Sequence, residues 1–199
     1  MPAAFLVIIL LVLLMAVVGA SLIRRRAAAL RTADTLQQLR LRALQATPQD
    51  LGLTVSANEP FTLVMDIGYP QAVVSVVAAS TGDASIYFSS GGGVIGGVQH
   101  ENVRAAAVAF VQGAAKHLEQ FVRASEYPCP SVAKVRFYVV TPEGVHSAEA
   151  DEQELEEGKN SLSSLYIAGQ DVITELRLVT ERQQQSAGLA ANASGTAAT

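Results

Sequence analysis

The chain has 199 residues, half of them hydrophobic, with 14 Lys and Arg against 18 Asp and Glu and a formal net charge of −4. That length leaves room for one domain of ordinary size. The acidic balance argues against nucleic-acid binding, where phosphate contacts dominate affinity, and a single cysteine, Cys129, excludes an internal disulfide.

The charge is unevenly spread. Residues 24–50 hold six Arg against Asp34 and Asp50, a net +4, whereas residues 51–182 hold eight basic and sixteen acidic groups, a net −8.

Ala3 to Ile23 contains no charged residue. As a helix these residues would extend about 31 Å, close to the hydrocarbon thickness of a bilayer at roughly 30 Å. The apolar run is longer than a signal-peptide core, and Arg24, Arg25 and Arg26 follow at once as a stop-transfer flank. An uncleaved anchor is therefore favoured over a cleaved signal, although Val18-Gly19-Ala20 imitates a cleavage site. No Lys or Arg precedes the run, so the positive-inside rule places the amino terminus outside an inner or plasma membrane and the rest of the chain in the cytoplasm. Each Arg of the flank would gain about 1 kcal/mol from anionic lipid.

Residues 24–46 are rich in Ala, Leu, Arg and Gln, which favour helix. They read as a solvated or lipid-lying continuation of the membrane helix, with a partial apolar stripe that Gln37 and Arg40 interrupt. Pro48 stops it, and residues 47–60 read as a linker.

The folded part starts near Phe61. FTLVMDI reads as a strand, and Asp66 within it as a carboxylate facing solvent from a sheet edge, since a buried one would need a partner. Residues 72–79 and 84–90 form a hairpin around the turn chemistry of Ser80-Thr81-Gly82-Asp83. Val103 to Val122 repeats its apolar residues at helical spacing. Tyr127-Pro128-Cys129-Pro130 is an extended loop. KVRFYVVT (134–141) alternates in polarity and returns through Thr141-Pro142-Glu143-Gly144 to a strand at 144–150. The six acids of residues 149–157 read as a solvated turn. A last helix follows Asn160 or Ser161, with Leu162, Leu165, Tyr166, Gly169, Val172, Ile173, Leu176 and Val179 on one face. Residues 183–199 carry no pattern that buries a core and read as a disordered tail.

These elements divide the chain into an anchor (1–23), a basic juxtamembrane helix (24–46), a linker (47–60), a domain (61–182) and a tail (183–199). The fold expected is α+β: a membrane helix continuing into a stalk helix, then an antiparallel sheet of about five strands packed by two helices. The order over 61–182 resembles the profilin-like group, including the roadblock and longin modules, and the resemblance implies a small interaction surface at a membrane. MDIGYP (65–70), IYFSSGGGVIGG (86–97) and YIAGQDVITELR (166–177) also resemble a bacterial group of hypothetical proteins.

The stretch most suggestive of a ligand is Ser89, Ser90, Gly91, Gly92, Gly93, Gly96 and Gly97. Gly91, Gly93 and Gly96 satisfy G-x-G-x-x-G after a strand and before a helix, a setting in which backbone approaches phosphate. No acid follows at the dinucleotide spacing, and the Lys-Ser/Thr pair of a triphosphate loop is missing. The other reading of the run is a flexible or closely packed connection. His100, His117 and His146 are scattered without metal-ligand spacing, and no catalytic constellation stands out. No cofactor or metal is expected, and the partners expected are the bilayer and a protein or a second copy. Three functions follow: a membrane-anchored cytoplasmic interaction or sensing module, a phosphate- or nucleotide-binding domain or enzyme using residues 91–97, or an extracytoplasmic envelope factor.

Overall fold

A computed structural model describes residues 37–196. Their centre is one antiparallel sheet in the order β4-β3-β2-β1-β6-β7-β5. The strands are β1 (Thr62–Gly68), β2 (Val73–Ala79), β3 (Ala84–Phe88), β4 (Gly93–Ile95), β5 (Val122–Arg123), β6 (Lys134–Thr141) and β7 (Gly144–Asp151). Helical segments are α1 (residues 37–44), α2 (Glu101–Ala115), α3 (Glu152–Glu156) and α4 (Ser163–Thr196).

The two-residue period of a strand sorts the sheet's side chains onto two faces. Leu63, Met65 and Ile67 of β1, Val76 and Ala78 of β2, and Val135, Phe137 and Val139 of β6 share one buried cluster with α2 and α4. Val64, Tyr138, Val140 and Val145 point the other way and bury Leu44 of α1 and Phe61. Both faces are thus covered, and every residue of β1 is buried. Close approach of α4 to the sheet depends on Gly169, where an added Cβ would meet Met65 Sδ at 2.7 Å and Phe110 Cζ at 3.1 Å.

The expected architecture is corrected in several respects. The sheet has seven strands, not about five, because the glycine run contributes β4 and the end of the expected helix 103–122 contributes β5. That helix stops at Ala115. His117 and Gln120 amides close short-range bonds to Ala114 and His117 carbonyls, and a 3-10 turn at Leu118–Gln120 swings the chain out to pair with β7. Phe121 still reaches the core, while Val122 does not.

No helix among the described residues is long and apolar enough to cross a membrane. The expected membrane segment 3–23, its flank at Arg24, Arg25 and Arg26, and residues 27–36 lie outside the described residues. Where the stalk is described, it is not a solvated rod. Residues 37–44 are helical and lie on the sheet, and Leu51, Leu53 and Val55 of the expected linker pack on the same face. Asp66 is not at an edge: β1 is the fourth of seven strands and its carboxylate is fully buried.

Two further boundaries move. The acidic run is a short helix, α3, whose N-cap Asp151 accepts the Gln153 amide at 3.1 Å and whose Leu155 is buried. Acids in its first turn complement the helix dipole. α4 continues to Thr196, through most of the expected tail, on Ala, Gln and Leu that favour helix without supplying a core.

Candidate interaction site

Pairing register lines up four residues across the sheet on the α1 face. Asp66 of β1 stands opposite Ser75 of β2 and Arg136 of β6, and Arg136 stands opposite Glu149 of β7. This polar row crosses a face on which Val64, Tyr138, Val140 and Val145 are buried, and each member has a partner. Ser75 Oγ donates to Asp66 Oδ1 at 2.6 Å. Arg136 Nε donates to Glu149 Oε2 at 2.8 Å.

Into this row α1 inserts Arg40. Its Nε and a terminal nitrogen both donate to Asp66 Oδ2, at 2.8 and 2.5 Å. The other terminal nitrogen donates to the Tyr127 carbonyl at 3.0 Å. The guanidinium lies over the Tyr138 ring, 5.1 Å from its centroid. Arg40 is 2% exposed and Asp66 0%. Burial opposes the guanidinium's charge, and the hydrogen bond and charge of Asp66 outweigh it, so the Arg40 pKa is raised.

The Pro-Cys-Pro loop closes this arrangement from the side. Tyr138 OH donates to the Pro128 carbonyl at 2.6 Å, and Arg136 reaches the same oxygen at 3.4 Å. The Tyr127 ring meets Tyr138 edge-on at 5.8 Å. Cys129 sits on this loop with an exposed residue surface. Partial burial and then Asp66 push its thiol pKa up, while Arg40 and Arg136 pull less strongly the other way. A raised pKa makes a poorer nucleophile at neutral pH.

The residues singled out in sequence do not gather here. Ser89 and Ser90 lie at the β3–β4 turn, where Ser89 Oγ accepts the Val73 amide at 2.7 Å. Gly91 and Gly92 make the turn with φ of 112° and 88°. Gly93 opens β4, and an added Cβ there would collide with the Ile86 carbonyl. Gly96 has φ of 84°. Gly97 lies under α2, where a Cβ would collide with Val103 and stand 3.1 Å from Leu176 Cδ2. The Gly91 and Gly97 amides already bond the Phe88 and Ala84 carbonyls. α2 begins beyond the run, at Glu101, whose carboxylate pairs with Arg104.

His100 precedes α2, His117 bonds Ser164 Oγ at 3.1 Å, and His146 is on β7. Among the described residues no group of three or more His, Cys, Asp and Glu is placed to hold a metal ion. Arg40 is the buried polar residue that the sequence pattern concealed among the other arginines of its segment. Its signal was an Arg interrupting an apolar stripe upstream of a lone Asp inside an apolar strand, two defects that correct one another. Compared with known families, curated proteins and solved structures, the chain matches none.

Proposed function

We propose that this chain is a membrane-associated interaction module whose domain begins at α1, packed on the sheet, and not at residue 61. The observation that carries this reading is the buried Arg40–Asp66 pair. It fixes α1, which follows Arg24, Arg25, Arg26 and Arg31 in the chain, to the middle of the sheet.

The apolar residues 3–23 and the all-Arg flank support a place beside a bilayer with the domain on the cytoplasmic side. A protein partner is supported by the sheet's outermost strand β4 and the loop after it, where Ile95 is 67% exposed and Val98 is also exposed. Open strand edges with apolar side chains are templates for association.

The test is a photo-crosslinking residue placed at Val98 in the full chain within cells. A discrete adduct that Ile95→Asp suppresses is the expected result. No adduct, or one indifferent to Ile95→Asp, overturns the interaction surface. Paired reporters fused to Thr199, one active only outside the cytoplasm and one only inside, test the side. Activity of the outside reporter overturns the cytoplasmic placement.

A further inference from the structure

The edge opposite β4 carries a second opening. β7 pairs with β6 along its whole length, but β5 covers only His146 and Ser147 of it. The Ala124 amide donates to the Val145 carbonyl at 2.9 Å, so the backbone groups of Val145 face away from β6. Antiparallel strands repeat that direction every second residue, so Ser147 and Glu149 face the same way. Val122 stands opposite Ser147. The next residue back that would stand opposite Glu149 is Gln120, and it belongs to the 3-10 turn instead. Glu149 therefore presents an amide and a carbonyl to the sheet edge with no strand opposite them among the described residues.

Those groups border a cleft of about 490 Å³, whose walls include Gln120, Val122, Arg136, Ser147, Asn160 and Ser161. Its one basic side chain, Arg136, is paired with the Glu149 carboxylate at 2.5 Å. The remaining polar walls are hydroxyls and amides, and Val122 at the rim is 70% exposed. A phosphate or a carboxylate would find the guanidinium already neutralised and an acid beside it. An uncharged main chain finds what a strand edge offers, namely one donor, one acceptor and an apolar shelf.

We propose that this cleft binds an extended, uncharged peptide segment of a partner protein. The segment continues the line of β5 along Ala148–Asp151, its main chain pairs with Glu149, and one of its apolar side chains rests on Val122. At about 3.3 Å per residue the uncovered part of β7 accommodates about three or four residues of such a segment. This surface lies at the far edge of the sheet from Ile95, so it stands independently of the β4 reading.

Phage-displayed random heptapeptides selected on the purified full chain in detergent provide the probe. Enriched apolar, uncharged sequences should bind wild type and protect the Glu149 amide from hydrogen exchange. Glu149→Pro, which deletes that amide, should weaken binding about tenfold, the weight of one to two backbone hydrogen bonds. Ser161→Trp fills the cleft while leaving every strand residue unchanged and should abolish binding, a test that stands even where Glu149→Pro is unstable. Ile167→Trp, an equally bulky change on the exposed side of α4, should leave binding intact. The proposal is overturned if no sequence is enriched over Ser161→Trp, or if Glu149→Pro folds and binds equally well. It is also overturned if the chain instead dimerises through this edge and Ser161→Trp restores a monomer, since the occupant is then a second copy.

Discussion

Removing Arg40 leaves the Asp66 carboxylate with Ser75 alone in a site closed to water. Single loss of either partner of a buried pair costs about 3–5 kcal/mol, whereas replacing both by apolar groups is close to neutral. Arg40→Met and Asp66→Ala should each lower the unfolding free energy by that amount in urea titrations followed by circular dichroism. Arg40→Met with Asp66→Leu should recover most of the loss. A double variant that loses the sum of the two single losses would show that the pair does not act as a unit. A second prediction at this scale concerns Cys129, whose thiol pKa is raised chiefly by burial. Its alkylation by iodoacetamide should follow a pH profile displaced above that of an unperturbed thiol near about 8.5. A profile at or below that position would contradict it. Asp151 behaves in the opposite sense. The hydrogen bond from Lys134 holds its carboxyl below the usual carboxylate range. A depressed pKa contributes stability that is present above the unfolded-state pKa of about 3.9 and is lost as pH falls through the folded value. Lys134→Met should therefore lower stability at neutral pH and flatten its decline on acidification below about pH 4.

At the scale of elements, the sheet and helices follow from periodicity wherever a run is long enough to show it. The alternation of KVRFYVVT and the apolar stripe of α4 were legible because each repeats a face several times. Short strands were not: β4 has three residues and β5 has two, and neither length carries a period. The end of α2 was misplaced for a related reason. Leu118 and Phe121 continue the helical spacing, yet Phe121 reaches the core from the residue that joins the 3-10 turn to β5. Glycines mark the places where elements touch. Gly169→Val should cost about 1–3 kcal/mol by overpacking against Met65 and Phe110. Gly92 has open space around it and φ of 88°, so Gly92→Ala should cost about 1–2 kcal/mol through backbone strain alone. Thermal unfolding of the two variants checks both, and an unchanged stability of Gly169→Val would contradict the packing argument.

For the molecule as a whole, the consequence is that the sheet has no free face. α2 and α4 cover one side, and α1 with the chain to Phe61 covers the other. A protein begun at residue 61 should therefore expose Val64, Tyr138 and Val140 and leave Asp66 without its guanidinium partner. Such a truncation should unfold at lower temperature than one begun at residue 37 and should bind a hydrophobic dye that the longer form does not. Equal stability of the two would return residues 37–46 to a solvated stalk and residues 47–60 to a linker. The sequence by itself determined the α+β class, the presence but not the ends of α2 and α4, both hairpins and the segregation of basic and acidic charge, because each is written in neighbouring residues. Only the tertiary structure decided that Arg40 meets Asp66 across 26 positions, that the glycine run supplies an outermost strand, and that β7 is left partly uncovered. Those outcomes depend on which distant surfaces exclude water together, and no local pattern carries that information.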